Sequence, residues 1–215
     1  MVAICAMSAI LDGSSFHSFE IELPSMEKIF ISAEELLLDS FKLAEKVYLS
    51  GFRPDFIIGV WRGGAPVGIA IQEYLDFIGV HSDHIAIRTS SYYGIDKQDK
   101  HVRVHGLDYI VDNINSDNQV LLVDDVFDSG RSIEAIFDRM RKKTRRNMPT
   151  NMKIACPWYK PSRNTTNYTP DFYIHETDKW LVFPHELRDL TLDEIKQGKP
   201  EIAETIIRHF KNAED

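Results

Sequence analysis

Val120-Leu121-Leu122-Val123 runs straight into Asp124-Asp125, and this junction constrains the fold more than any other stretch of the chain. Four successive β-formers with no polar alternation suit a strand covered on both faces, as in parallel sheets flanked by helices. Two carboxylates at its carboxyl end stand where open α/β sheets bind ligands. Asp128-Ser129-Gly130 then forms a tight turn into an amphipathic segment that reads as a helix from Ser132 to about Lys143. The first N–H groups of a helix are unpaired and lie at the positive end of its dipole, which suits a phosphate. Acids for sugar hydroxyls and amides for a phosphate together make a plausible sugar-phosphate site.

The rest of the chain supplies a matching frame. Ser32-Ala33-Glu34-Glu35 has the pattern of a capping box, followed by Leu36, Leu37, Phe41, Leu43, Ala44, Val47 and Tyr48 on one broad face and Gly51 as a stop. Strands are expected at 55–60, 84–89, 120–123, 153–156 and 171–174, with a helix from Ala65 to Phe77. This alternation predicts an α/β fold with a mostly parallel twisted sheet flanked by helices. The segment from Ser90 to Arg103 reads as a long polar loop, which in a compact domain is usually functional or disordered. Residues 1–25 are set aside as an N-terminal extension, 26–191 as the main domain with a small hood, and 192–215 as a helical tail interrupted at Gly198 and Pro200.

At 215 residues the chain can bury a sizeable core in one domain. Its net charge of −8 argues against general nucleic-acid affinity, and no apolar run is long enough to span a bilayer. Cys5 and Cys156 are too few and too distant to suggest a disulfide framework, so a reducing, cytoplasmic compartment is expected. The basic run Arg139, Arg141, Lys142, Lys143, Arg145, Arg146 ends the helix after the turn, where cations complement the dipole. A solvated face is the expected reading of it. Trp61-Arg62-Gly63-Gly64 follows the strand ending at Val60. Its glycines would let a ligand approach the main chain, and Arg62 could fork a phosphate. The same four residues could also be an ordinary turn.

The segment 120–132 resembles the thirteen-residue signature of the type I phosphoribosyltransferases, with Ser129 in place of the common Thr. The resemblance covers roughly residues 28–190 and points to the 6-oxopurine (xanthine–guanine or hypoxanthine–guanine) branch. It implies that Asp124, Asp125, Val126, Phe127, Asp128, Ser129, Gly130, Arg131 and Ser132 bind 5-phosphoribosyl-1-pyrophosphate (PRPP) and its 5′-phosphate. Asp128 would be the catalytic base, while Arg62 and Gly63 would bind pyrophosphate, with a cis peptide expected at Trp61–Arg62. Ser91-Tyr92 would mark a flexible loop that closes over the reacting centre. Lys160, Trp180 and Leu181 would bind the purine: a lysine can only donate, so it suits a 6-oxo group and rejects a 6-amino group. Mg2+ would arrive mostly with PRPP and water, near Asp124, Asp125 and Glu186; Glu186 could also be purely structural. Read without the upstream motifs, Trp180 is a core aromatic and Lys160 a surface cation.

The implied activity is purine salvage: transfer of 5-phosphoribosyl from PRPP to hypoxanthine, guanine or xanthine, giving the nucleoside 5′-monophosphate and pyrophosphate. Neither nucleic acid nor membrane is an expected partner, and family members are commonly homodimers or homotetramers. Two alternatives stay open, a non-enzymatic PRPP or nucleotide sensor on the same fold and a phosphoribosyltransferase for another base.

Overall fold

A computed structural model describes residues 27–93 and 100–210, with nothing said of the side chains of 91–93, 100, 101, 209 and 210. The expected N-terminal extension, residues 1–25, lies outside the described residues. The central sheet has seven strands. They are β2 (Phe56–Trp61), β3 (Asp83–Tyr93), β4 (Lys100–His105), β5 (Gln119–Val123), β6 (Val126–Phe127), β7 (Asn151–Tyr159) and β8 (Phe172–Glu176). Six follow the order β4-β3-β2-β5-β7-β6, and β8 pairs with β7 on its other edge. All pairs are parallel except β3–β4. A separate parallel pair, β1 (Lys28–Phe30) with β9 (Trp180–Val182), forms a small second sheet.

Helices cover both faces. On one side lie α1 (Ala33–Leu49) and α2 (Gly64–Phe77); on the other lie α3 (Asp108–Asn113) and α4 (Arg131–Thr144). β5 sits in the middle, and Val120, Leu121, Leu122 and Val123 are each completely buried. Alternate side chains feed the two clusters: Leu121 and Val123 join the α1–α2 side, Val120 and Leu122 the α3–α4 side. Each such side chain contributes about 1.5–3 kcal/mol relative to exposure. That explains the continuous apolar run.

α1 starts where the cap predicts, since the Ser32 side chain accepts from Glu35 N at 3.0 Å. Its buried stripe differs from the expected face. Leu37 and Phe41 are exposed, while Asp39 and Ser40 are buried between Leu36 and Leu43. The 3.6-residue period puts 36, 39/40, 43, 44 and 47 on one line, and the polar members are satisfied there. Asp39 meets His175 Nε2 at 2.7 Å and Lys42 Nζ at 3.0 Å, and Ser40 Oγ donates to Leu36 O. In α4 the expected amphipathic segment buries the stripe Ile133, Ile136, Phe137 and Met140.

The expected polar loop 90–103 is instead largely an antiparallel strand pair. β3 runs on to Tyr93, β4 begins at Lys100, and the register carries Ser91 opposite Val102 and Tyr92 opposite His101. Its polar residues do not forbid a strand, because an edge arm leaves side chains to solvent. The tip, 94–99, lies outside the described residues. Beyond β9 come α5 (Leu192–Gly198), opened by a full capping box at Thr191–Glu194, and α6 (Pro200–Phe210). Among the described residues no helix is long and apolar enough to cross a membrane.

Candidate active site

The acid pair interrupts one strand line without shifting it. Val123 pairs with Ala155 and Val126 with Trp158 at the same offset, so β6 continues along β7 beyond the break at Asp124-Asp125. Asp124 N still donates to Ala155 O at 3.1 Å, and Lys160 N donates to Phe127 O at 2.9 Å. The turn is the expected one, Asp128 to Gly130, and α4 begins at Arg131, one residue before the expected Ser132. Gly130 takes φ +76°, and a Cβ there would meet Thr166 Oγ1 at 2.4 Å and Phe127 Cζ at 2.9 Å. The Phe127 ring is buried at 2% exposure and its carbonyl accepts from Lys160 N, so Phe127 has no side chain to offer a ligand.

Asp124 and Asp125 end β5 side by side. Asp125 N donates to Asp124 Oδ1 at 3.0 Å, and Gly64 N–H also points at the Asp124 carboxylate. Burial, followed by the neighbouring Asp125 charge, raises the Asp124 pKa well above its ordinary value. Asp125 is 8% exposed and lies against Gly63. The two glycines thus serve the protein's own packing: Gly63 accommodates the Asp125 side chain, and a Cβ on Gly64 would meet Val123 O at 2.3 Å. The Trp61–Arg62 peptide between β2 and these glycines is cis, and Arg62 is exposed.

Lys160 and Asp128 come together. Lys160 is 6% exposed, so it is no surface cation, and its Nζ lies 3.6 Å from Asp128 Oδ2. Arg163, which the sequence reading did not single out, brings Nε to 2.8 Å from the other carboxylate oxygen, without the alignment of a hydrogen bond. The signal for it was Pro161 after Lys160, which starts a single 3-10 turn and carries Arg163 back over the strand end. The next residues brace the turn from outside: Thr165 N and Oγ1 both reach Ser129 O at 3.1 Å.

Trp180 is not a core aromatic either. At 39% exposure it opens β9, paired through the main chain with Lys28, whose Nζ lies 6.0 Å from the ring centroid. Leu181 next to it is buried against the α1–α2 core. Glu186 is engaged locally: its carboxylate accepts from Phe183 N at 3.2 Å, closing a turn in which Glu186 N donates to Phe183 O. The residue that reaches the acid pair is His185, with Nε2 3.5 Å from Asp125 Oδ2 and its ring stacked on Phe183. Cys156, fully buried on β7, has its thiol pKa pushed up by burial and is no nucleophile.

Residues 31–190 match the phosphoribosyl transferase domain family. The chain belongs to that family. It is 28% identical over 151 residues to the hypoxanthine-guanine phosphoribosyltransferase of Lactococcus lactis, covering 69% of this chain and 75% of that one. It is 30% identical over 103 residues to the bifunctional protein PyrR of Corynebacterium diphtheriae, covering 46% of this chain and 54% of that protein. Among solved structures, the purine phosphoribosyltransferase of Pyrococcus horikoshii superposes with a TM-score of 0.61 at 30% identity. That alignment covers 77% of this chain and 99% of the other. The family's fold, a mostly parallel sheet flanked by helices, is the one described above, with the acid pair at the carboxyl end of its central strand.

Proposed function

We propose that this phosphoribosyltransferase acts on a 6-oxopurine, joining it to the 5-phosphoribosyl group of PRPP and releasing pyrophosphate. The observation that carries the reading is the pair Asp128–Lys160, an acceptor and an obligate donor 3.6 Å apart at the end of β7 and the phosphate turn. A 6-oxopurine presents a complementary couple on one edge, the N7 position and the exocyclic O6. Lys160 donates to O6, and Asp128 takes the N7 proton as N9 attacks C1′ and the C1′–pyrophosphate bond breaks. A 6-amino group would set donor against donor at Lys160. Its burial makes that mismatch costly, because neither group could turn to water.

The ribose hydroxyls fall to Asp124 and Asp125, and the 5′-phosphate to the main chain from Asp128 to Ser132 with the hydroxyls of Ser129 and Ser132. The start of α4 supports this reading, since its N–H groups and the positive end of its dipole suit a phosphate. Arg62 and the Gly63 amide face the departing pyrophosphate, where negative charge grows. Trp180 stacks on the base and the Leu181 main chain meets its position-2 edge. Ser91-Tyr92, on the arm formed by β3 and β4, keep water from the reacting centre.

The donor set fits Mg2+. Two hard carboxylates lie together, and burial, followed by the neighbouring Asp125 charge, raises the Asp124 pKa, a cost that a bound cation would offset. Asp124 and Asp125 would hold it jointly with PRPP oxygens, and the ion would supply charge neutralisation on the diphosphate. Glu186, already committed to Phe183 N, is the weaker candidate.

The test is direct. Incubate the protein with Mg2+, PRPP and each of adenine, hypoxanthine, guanine and xanthine, and follow pyrophosphate release. Turnover of at least one 6-oxopurine and not of adenine is expected. PRPP binding without turnover of any 6-oxopurine would replace this reading with the sensor.

A further inference from the structure

The family match ends at residue 190, yet the chain beyond it is fastened to the wall that carries Trp180. Gly198, at the end of α5, lies directly on the Phe30 ring of β1, where a Cβ would come within 2.2 Å of Cδ1. Ile195 and Ala203 are buried as well, so the helical pair is docked and does not trail. Two polar anchors then reach past this apolar contact.

The first is Lys199, at 6% exposure one of the few buried cations among the described residues. Its Nζ donates to Phe183 O at 2.5 Å and to Pro184 O at 3.0 Å. Those carbonyls belong to the turn whose other side bears His185, 3.5 Å from Asp125. Burial lowers the Lys199 pKa, while the charges of Glu186 and Glu201 oppose that shift. A buried ammonium is tolerated only where its donors are taken up, and here they are taken up by this turn.

The second anchor is Glu194. One carboxylate oxygen closes the capping box by accepting from Thr191 N at 2.8 Å, which fixes the side chain. The other receives Lys28 Nζ at 2.6 Å, and that same nitrogen faces the Trp180 ring. β1 and β9 are already joined through their main chains. What the two anchors add is a set position for the turn after β9 and for the cation beside its first ring.

We propose that Lys199 and Glu194 are positioning residues for base binding: Lys199 sets the Phe183–Glu186 turn against Asp125, and Glu194, through Lys28, sets the Trp180 ring. The inference rests on the reading that this site takes a 6-oxopurine. The phosphate turn and the acid pair are built by β5, β6 and α4; of the two anchors only Lys199 approaches them, and only through His185 at 3.5 Å from Asp125, so PRPP should sense their loss far less than the base does.

Full-length Lys199→Met, Lys199→Arg and Glu194→Gln are compared with wild type at a temperature where all are folded by circular dichroism. Calorimetry gives affinities for GMP, IMP and Mg·PRPP, and steady-state kinetics give kcat and KM for the base. Lys199→Met and Glu194→Gln should each weaken nucleotide binding and raise the base KM about tenfold, the scale of one charge-assisted hydrogen bond. PRPP affinity and kcat should stay within about twofold, and Lys199→Arg should recover most of the loss. Glu194→Gln keeps the capping oxygen and so guards against a mere folding defect. Equal losses for PRPP and nucleotide, or no loss for either, would overturn the proposal. Wild type that binds PRPP but no purine nucleotide would instead remove the functional reading and this inference with it, an outcome visible before any variant is made.

Discussion

A Cβ placed on Gly63 would lie 1.7 Å from Oδ2 of Asp125 and 2.1 Å from its Cγ. The turn after β2 and the acid pair after β5 are therefore one interlocked unit. The parallel pairing of β2 with β5, Gly59 opposite Val123, brings the two strand ends level and forces this contact.

Gly63→Ala should expel the Asp125 carboxylate from its place. Overpacking of this kind typically costs about 1–3 kcal/mol of stability, and PRPP affinity should fall about tenfold or more. Gly64→Ala should be worse for folding, because its Cβ meets main-chain Val123 O, which cannot swing aside. Thermal melts and PRPP titrations check both. Unchanged PRPP affinity in a folded Gly63→Ala protein would mean that the Asp125 carboxylate does not hold PRPP.

Asp128→Asn keeps the shape of the turn and removes the proton acceptor. Turnover should fall by about 10²–10⁴ while PRPP affinity changes little. Single-turnover rates and PRPP titration separate the two. Equal losses would take away the case for Asp128 as base.

Lys160→Gln puts a group that can both donate and accept in the buried position of a pure donor. The kcat/KM for hypoxanthine should drop by about 10–100-fold, and its margin over adenine should narrow. Competition between the two bases measures this. A margin that stays put would mean that something other than Lys160 reads position 6.

The raised Asp124 pKa makes a stability prediction for the ligand-free protein. Between the ordinary carboxylate value of 3.8 and the raised folded value, the native state binds more protons than the unfolded chain. This contribution is therefore present at low pH and is lost as pH rises through the folded value. Asp124→Asn should melt higher than wild type at pH 8, with the gap closing on acidification, although it should bind PRPP less well. A gap that widens toward low pH would contradict the sign.

Much of this was legible in the residues. The unbroken run Val120–Val123 announced a doubly covered strand, and the amphipathic segment from Ser132 to about Lys143 announced the helix behind the turn, because both patterns are local consequences of burial. The hairpin arm was not, since residues that remain solvated in a strand look the same as residues of a loop. The buried Asp39 was equally hidden: its partner, His175, is far away in sequence.

The chain's own order of residues settled the strand, the acid pair and the turn, since those depend on neighbours along the backbone. Packing in three dimensions decided the rest: that Gly63 makes room for Asp125, that Arg163 joins Lys160 around Asp128, and that His185 and not Glu186 turns toward the acids. Each of these is a meeting of side chains from separate elements, and such distances are set only when the sheet order and the register bring the elements together.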